Sequence, residues 1–168
     1  MPSSMFFNDV EAMKIACNLE RGGLKFYLAV AKKAKDPNVK RAFERLAKDE
    51  KAHVQVFEEL QQKLLDEPRK EAYFDSEELD AYMARLIETH VFADDSLVAR
   101  LADQVQSDIE ALGVGMRAER DTLLFYQDLL GFTDSKAARE ALQRIIGEER
   151  RHLVELAERS EACENLRG

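Results

Sequence analysis

A chain of 168 residues with a formal charge of −8, 45% apolar and 35% charged residues is long enough for one packed domain and too rich in apolar residues to be disordered. The acidic balance argues against a nucleic-acid partner, which needs a basic face, and suits the attraction of cations. No uninterrupted apolar run approaches the roughly 20 residues of a membrane span, and nothing N-terminal reads as a signal peptide, so the expectation is a soluble, cytoplasmic protein.

Low Gly and Pro counts (7 and 3) and the dominance of Ala, Leu, Glu, Lys and Arg favour long helices. Apolar spacing at i, i+3, i+4 and i+7 predicts four of them. The first runs from about Asn8 to Lys35, with Asn8 or Asp9 capping its start. The second opens at Asp36-Pro37, an N-cap followed by proline at the first helical position, and runs to about Leu65. Some forty residues follow that hold two shorter helical patterns, one starting at Ser76 and capped by Ser76 or Asp75, the other following Asp94-Asp95. The third long helix opens at the capping box Ser107–Glu110 and ends near Gly131, a candidate C-cap. The fourth starts after Thr133–Ser135 and runs to about Ala162. Two helical hairpins joined by a long crossover with short extra helices make an all-α, ferritin-like four-helix bundle, and residues 1–168 are expected to form this single domain.

The chain repeats itself. "EAMKIACNLERGGLKFY" from Glu11 falls on "EALGVGMRAERDTLLFY" from Glu110, an offset of 99 residues, and pairs Glu20 with Glu119 and Tyr27 with Tyr126. At the same offset and without a gap, "RAFERLAKDEKAH" falls on "EALQRIIGEERRH", pairing Glu50 with Glu149 and His53 with His152. Two of the three histidines thus stand three residues after a glutamate, on one helical face. A lone Glu-x-x-His is ordinary; its repetition at polar positions that a core would not welcome points to a metal.

Heights and phases agree. Glu20 lies 16 residues before Asp36 and Glu50 lies 14 after it; Glu119 and Glu149 each lie 15 residues from Asp134. At about 1.5 Å per residue all four share one layer of an antiparallel bundle. Their helical neighbours, such as Ala16 and Leu24, Leu46 and Phe57, Ile145 and Leu156, are apolar, so the four Glu and two His point inward. Buried charges must be paired or coordinate a metal. Two divalent cations balance four carboxylates, and oxygen–imidazole ligation without thiolate suits iron or manganese better than a structural zinc. Glu148 also stands at i+4 spacing from His152, which leaves open whether Glu148 or Glu149 is the ligand there.

At "LERGGLKFY", "AERDTLLFY", "DEKAH" and "EERRH" the sequence resembles the rubrerythrin-type branch of the ferritin-like superfamily, over residues 8–162. The resemblance implies Glu20, Glu50, His53, Glu119, Glu149 and His152 as metal ligands and catalytic residues, with Glu50 and Glu149 bridging. It implies two Fe ions per chain, with Mn as alternative and Zn able to substitute. No paired C-x-x-C knuckles of a rubredoxin domain follow the bundle, so electrons are expected from a separate donor such as a rubredoxin-like protein. Rubrerythrins carry a further glutamate one turn from the third-helix ligand; here Met116 and Thr122 hold those positions, and the implied site is more symmetric, as in bacterioferritin.

Tyr27 and Tyr126, two turns from Glu20 and Glu119, either donate hydrogen bonds to ligand carboxylates of the other half or fill the core. Asp49 and Glu148, which precede the ligand glutamates, either support the ligands or are plain solvated charges, and the second reading is favoured. His90 has no partner at ligand spacing and reads as structural or surface. Cys17 lines the site or is a small buried residue, and Cys163 is too distant for a disulfide to it. Gly22, Gly23, Gly113, Gly115 and Gly147 fall inside helices, for close packing or for room beside a buried site. The functional expectation is a redox enzyme, expected as a homodimer, reducing H2O2 or O2. The alternatives are a ferroxidase or iron-handling protein, and a metal-stabilised helical module without catalysis.

Overall fold

The computed structural model describes residues 8–68 and 77–168. It contains six helices: α1 (Asp9–Lys33), α2 (Pro37–Leu65), α3 (Glu77–Thr89), α4 (Asp95–Gln104), α5 (Asp108–Phe132) and α6 (Lys136–Asn165), with no strand among the described residues. Helices α1 and α2 pack as one hairpin and α5 and α6 as the other; α3 lies on α5 and α4 on α1. This is the ferritin-like bundle with one long crossover.

The caps explain the boundaries. Asn8 Oδ1 accepts from Glu11 N at 3.0 Å, Asp36 from Asn38 N at 2.7 Å, Asp94 from Ser96 N at 2.7 Å, and Ser107 Oγ from Glu110 N at 3.2 Å. Glu110 reaches back one residue beyond the N-cap, accepting from Gln106 N at 2.8 Å. Three boundaries differ from the sequence expectation. Gly131 is not a C-cap: α5 continues to Phe132, and no described glycine has positive φ. Thr133 ends that helix, its hydroxyl donating to Leu129 O, while Arg139 Nη1 donates to Leu130 O at 2.6 Å. The first helix stops at Lys33 because Lys35 N and Asp36 N turn out to meet Asp108 (2.8 Å from Asp36 N). The last helix runs on to Asn165. The expected α3 start at Ser76, with Asp75 as an alternative cap, lies outside the described residues.

The internal repeat appears as reciprocal contacts. Asp108, at the first position of α5, accepts from the α1–α2 turn; its counterpart Asp9, at the first position of α1, accepts from Asp134 N at 3.4 Å and Ser135 N at 3.1 Å in the α5–α6 turn. Each hairpin therefore caps the turn of the other.

The apolar core is divided in two. One cluster holds α1 residues up to Leu19, α2 from Val54, α5 from Leu123 and α6 up to Ile146; the other holds α1 from Phe26, α2 up to Ala47, α5 up to Ala118, and Leu156 of α6. The gap between them falls at the same height on all four helices, and it is filled by Glu20, Glu50, His53, Glu119, Glu149 and His152, all buried.

Candidate metal centre

Within this layer two groups form, Glu20, Glu50, His53 and Glu149, and Glu50, Glu119, Glu149 and His152; in each, one ligand atom per residue lies within 4.8 Å of the others. Glu50 and Glu149 belong to both. The structure thus brings together all six residues singled out in the sequence, and it is Glu149, not Glu148, that faces inward beside His152.

Both imidazoles turn Nδ1 inward. His53 Nδ1 lies 3.3 Å from Glu20 Oε2 and 2.9 Å from Glu149 Oε1; His152 Nδ1 lies 2.9 Å from Glu149 Oε2 and 3.6 Å from Glu50 Oε1. The rings stack at a centroid distance of 5.8 Å. Each Nε2 turns outward to a carboxylate of the other hairpin, His53 to Glu148 at 2.6 Å and His152 to Asp49 at 3.1 Å. Glu148 and Asp49, favoured as solvated charges on sequence, are therefore the partners that orient the two rings. Both keep solvent contact, so their surface-like setting and their role coexist. The signal for them was the repeat itself, which pairs Asp49 with Glu148.

The tyrosines cross over in the same way. Tyr27 Oη donates to Glu119 Oε1 and Tyr126 Oη to Glu20 Oε1, and both rings are fully buried, so they bond the opposite half's carboxylates and fill the core at once. Gly23 and Gly115 leave the room this needs: a Cβ on Gly23 would lie 3.1 Å from Glu50 Oε2, and one on Gly115 would lie 3.3 Å from Tyr27 Oη. Gly22 serves close packing, since its Cβ would fall 2.6 Å from Phe92 O, while Gly113 faces open space.

Electrostatics reflect crowding. Burial, with the charges of Glu20 and Glu149, pushes Glu50 well above the usual carboxylate range, and burial with Glu149 does the same to Glu119. Burial works against the charge on Glu149 too, but the His152 hydrogen bond and the adjacent His53 imidazole outweigh it and hold this carboxyl well below its ordinary value. Burial alone would depress His53; the adjacent Glu149 and Glu20 carboxylates instead raise it to about 11. His152 is raised on the same balance, against its burial, by Glu149. Both tyrosine hydroxyls are pushed well up, chiefly by burial and then by the nearby carboxylates.

The donor set fits metal. Glu149 Oε1 is fully buried yet has no hydrogen-bond donor: His53 Nδ1 is close, but its N–H direction is not aligned with that oxygen. Imidazoles that offer one nitrogen inward and tie the other to a carboxylate have the arrangement of ligating histidines. Cys17 is buried, one turn from Glu20, but its Sγ faces Val54 O at 3.8 Å and joins neither group; both cysteines are free.

His90 is structural and fully enclosed. Its Nδ1 accepts from Phe92 N at 3.0 Å and its Nε2 bonds Thr122 Oγ1 at 2.8 Å. Nothing in the sequence signals the second contact, because His90 has no counterpart in the repeat.

Fold and site together define a ferritin-like helical bundle with a buried carboxylate–imidazole centre able to hold a metal. Residues 11–159 match the Rubrerythrin family, and the chain belongs to it. Neither the curated proteins nor the solved structures give a match. Among the described residues no helix is long and apolar enough to cross a membrane.

Proposed function

We propose that the chain is a non-haem di-iron carboxylate protein, a redox enzyme that reduces hydrogen peroxide or dioxygen with electrons from a separate donor. The observation that carries the reading is the pair of four-residue groups that share Glu50 and Glu149, with Glu20 and His53 to one side and Glu119 and His152 to the other. In this reading Glu50 and Glu149 would be held in common by two ions, and Glu20, His53, Glu119 and His152 would each serve one. Two ferrous ions, when bound, supply one electron each to an oxidant; manganese is the alternative metal.

The chain's own residues set the conditions for that chemistry. Four carboxylates offset the charge of two divalent cations. The Tyr27 and Tyr126 hydroxyls fix the free oxygens of Glu119 and Glu20. Glu148 and Asp49 hold each imidazole with Nδ1 inward and link the buried layer to the surface. The apolar clusters above and below keep bulk water out. Reduction of hydrogen peroxide to two waters takes up two electrons and two protons, and a rubredoxin-like donor is the kind of partner that restores the electrons.

The near equivalence of the two halves also favours a second reading, a ferroxidase of the ferritin type. Assembly size separates the two, a dimer supporting the enzyme and a large shell supporting storage.

The test is an anaerobic Fe(II) titration of metal-free protein followed by addition of H2O2 or O2. Saturation at about two irons per chain with an oxo-bridge absorption after oxidation is expected, as for other di-iron bundles. Glu50→Ala and His53→Ala are expected to abolish uptake of the pair. A colourless product or no uptake overturns the reading.

A further inference from the structure

The six potential ligands and the two tyrosines are related residue by residue across the halves, but a position between them is not. Position 23 of the first half is glycine and its counterpart in the second is Thr122. In the first half there is little room for a side chain, since a Cβ on Gly23 would lie 3.1 Å from Glu50 Oε2. In the second half that same place, one turn beyond Glu119 and one turn before Tyr126, carries a hydroxyl that is itself buried.

The hydroxyl is unusual for a helix. Thr89 and Thr133 donate back to the carbonyl four residues earlier, at 2.7 and 2.6 Å. Thr122 makes no such bond. Its Oγ1 meets His90 Nε2 at 2.8 Å instead. The direction of that bond is fixed: Phe92 N donates to His90 Nδ1 at 3.0 Å, so Nδ1 carries no proton and Nε2–H donates to Thr122. Burial holds His90 at about 4, so the ring is neutral and this tautomer persists at neutral pH. With one lone pair of Oγ1 taken, the threonine proton is left to donate, and among the described residues it makes no hydrogen bond. By the repeat, Thr122 stands to Glu149 as Gly23 stands to Glu50, whose carboxylate lies 3.1 Å from a Cβ at position 23.

We propose that Thr122, oriented by His90, is a hydrogen-bond donor to a small anionic ligand of the hydroperoxide class, held in the Glu119–Glu149–His152 half of the site. Thr122 is the binding residue and His90 the positioning residue. The first half has no equivalent donor, so the two metal positions take an exogenous ligand unequally. This rests on the di-iron reading above.

Azide is the probe: it is a small anion that only accepts hydrogen bonds, and its charge-transfer band on ferric iron reports binding without turnover. Iron content is measured first for wild type, Thr122→Val, Thr122→Ala, Thr122→Ser and His90→Leu, and azide is then titrated into each iron-loaded, oxidised protein. Loss of one hydrogen bond to a charged ligand weakens binding about tenfold or more. Thr122→Val and Thr122→Ala are expected to show that loss, Thr122→Ser to bind within about twofold of wild type, and His90→Leu to fall between, all at unchanged iron content. An azide affinity for Thr122→Val or Thr122→Ala within about twofold of wild type at full iron content overturns the proposal while leaving the di-iron reading intact. Failure of the wild type to take up iron overturns both.

Discussion

Three helical glycines in one protein should respond differently to the same substitution. A glycine-to-alanine change in an exposed helix interior stabilises by about 1 kcal/mol, partly by restricting the unfolded chain. Gly113 has nothing within 4 Å of an added Cβ, so Gly113→Ala should realise most of that gain. At Gly22 the new carbon would sit 2.6 Å from the backbone oxygen of Phe92 and 2.7 Å from its Cβ. Backbone cannot rotate away as a side-chain tip can. The crossover must lift off α1, and Phe92 packs there on Phe26 at a ring separation of 5.2 Å and on Tyr27 at 6.2 Å. Overpacking of this kind costs about 1–3 kcal/mol, which exceeds the propensity gain. Both changes carry the propensity gain, so Gly22→Ala should be less stable than Gly113→Ala by the overpacking cost, about 1–3 kcal/mol. Gly23→Ala is the third case: its Cβ meets the end of the Glu50 side chain at 3.1 Å, which can yield, so stability changes little while metal affinity falls. Urea unfolding of the metal-free proteins, with equal slopes, reads the first comparison. If Gly22→Ala proves as stable as Gly113→Ala, the crossover does not pack on α1 as described.

Tyr27→Phe and Tyr126→Phe each leave one buried carboxylate oxygen without its donor and should weaken metal binding about 10- to 100-fold at unchanged stoichiometry; equal affinity in a competition titration with a coloured chelator would rule this out. Asp9→Ala and Asp108→Ala each remove the acceptor for two turn amides of the opposite hairpin, and should cost about 1–3 kcal/mol apiece in urea unfolding, the more buried Asp9 costing more. His90 is held at about 4 against an ordinary value of 6.5, so the unfolded chain binds the extra proton between those limits. Its contribution is complete above pH 6.5, is lost as pH falls toward 4, and amounts to up to about 3 kcal/mol; the difference in unfolding free energy between wild type and His90→Gln should shrink by that amount over this range, and a constant difference would refute it.

The bundle and its polar layer were legible because both follow from periodicity. Helix heights counted from Asp36 and Asp134 put four glutamates level, and the apolar neighbours of each fixed its phase. What periodicity does not carry was missed. Gly131 looked like a helix terminator, but Thr133 and Arg139 satisfy the last carbonyls and the chain needs no left-handed residue there. Asp49 and Glu148 looked like surface charges because they are partly exposed; which hairpin they reach toward depends on how the two pack, and no local pattern encodes that. The His90–Thr122 contact joins a crossover loop to α5 and is invisible for the same reason.

The pattern of contacts says what the two halves are for. Tyr27 of the first hairpin bonds Glu119 of the second, and Tyr126 bonds Glu20; His53 is oriented by Glu148, and His152 by Asp49. Asp9 and Asp108 exchange turn amides in the same sense. Every potential ligand group thus draws part of its set, and every oriented ring its support, from the opposite hairpin. A single hairpin keeps two glutamates and one histidine but loses the tyrosine that steadies one and the carboxylate that aims the other. Metal at this centre would therefore act as a clamp between hairpins, adding its binding free energy to the association that the two apolar clusters begin. The crossover is outside this exchange. Because it packs on α1 at Gly22 and reaches α5 through His90 and Thr122, it meets the two halves in different ways and can make them behave differently.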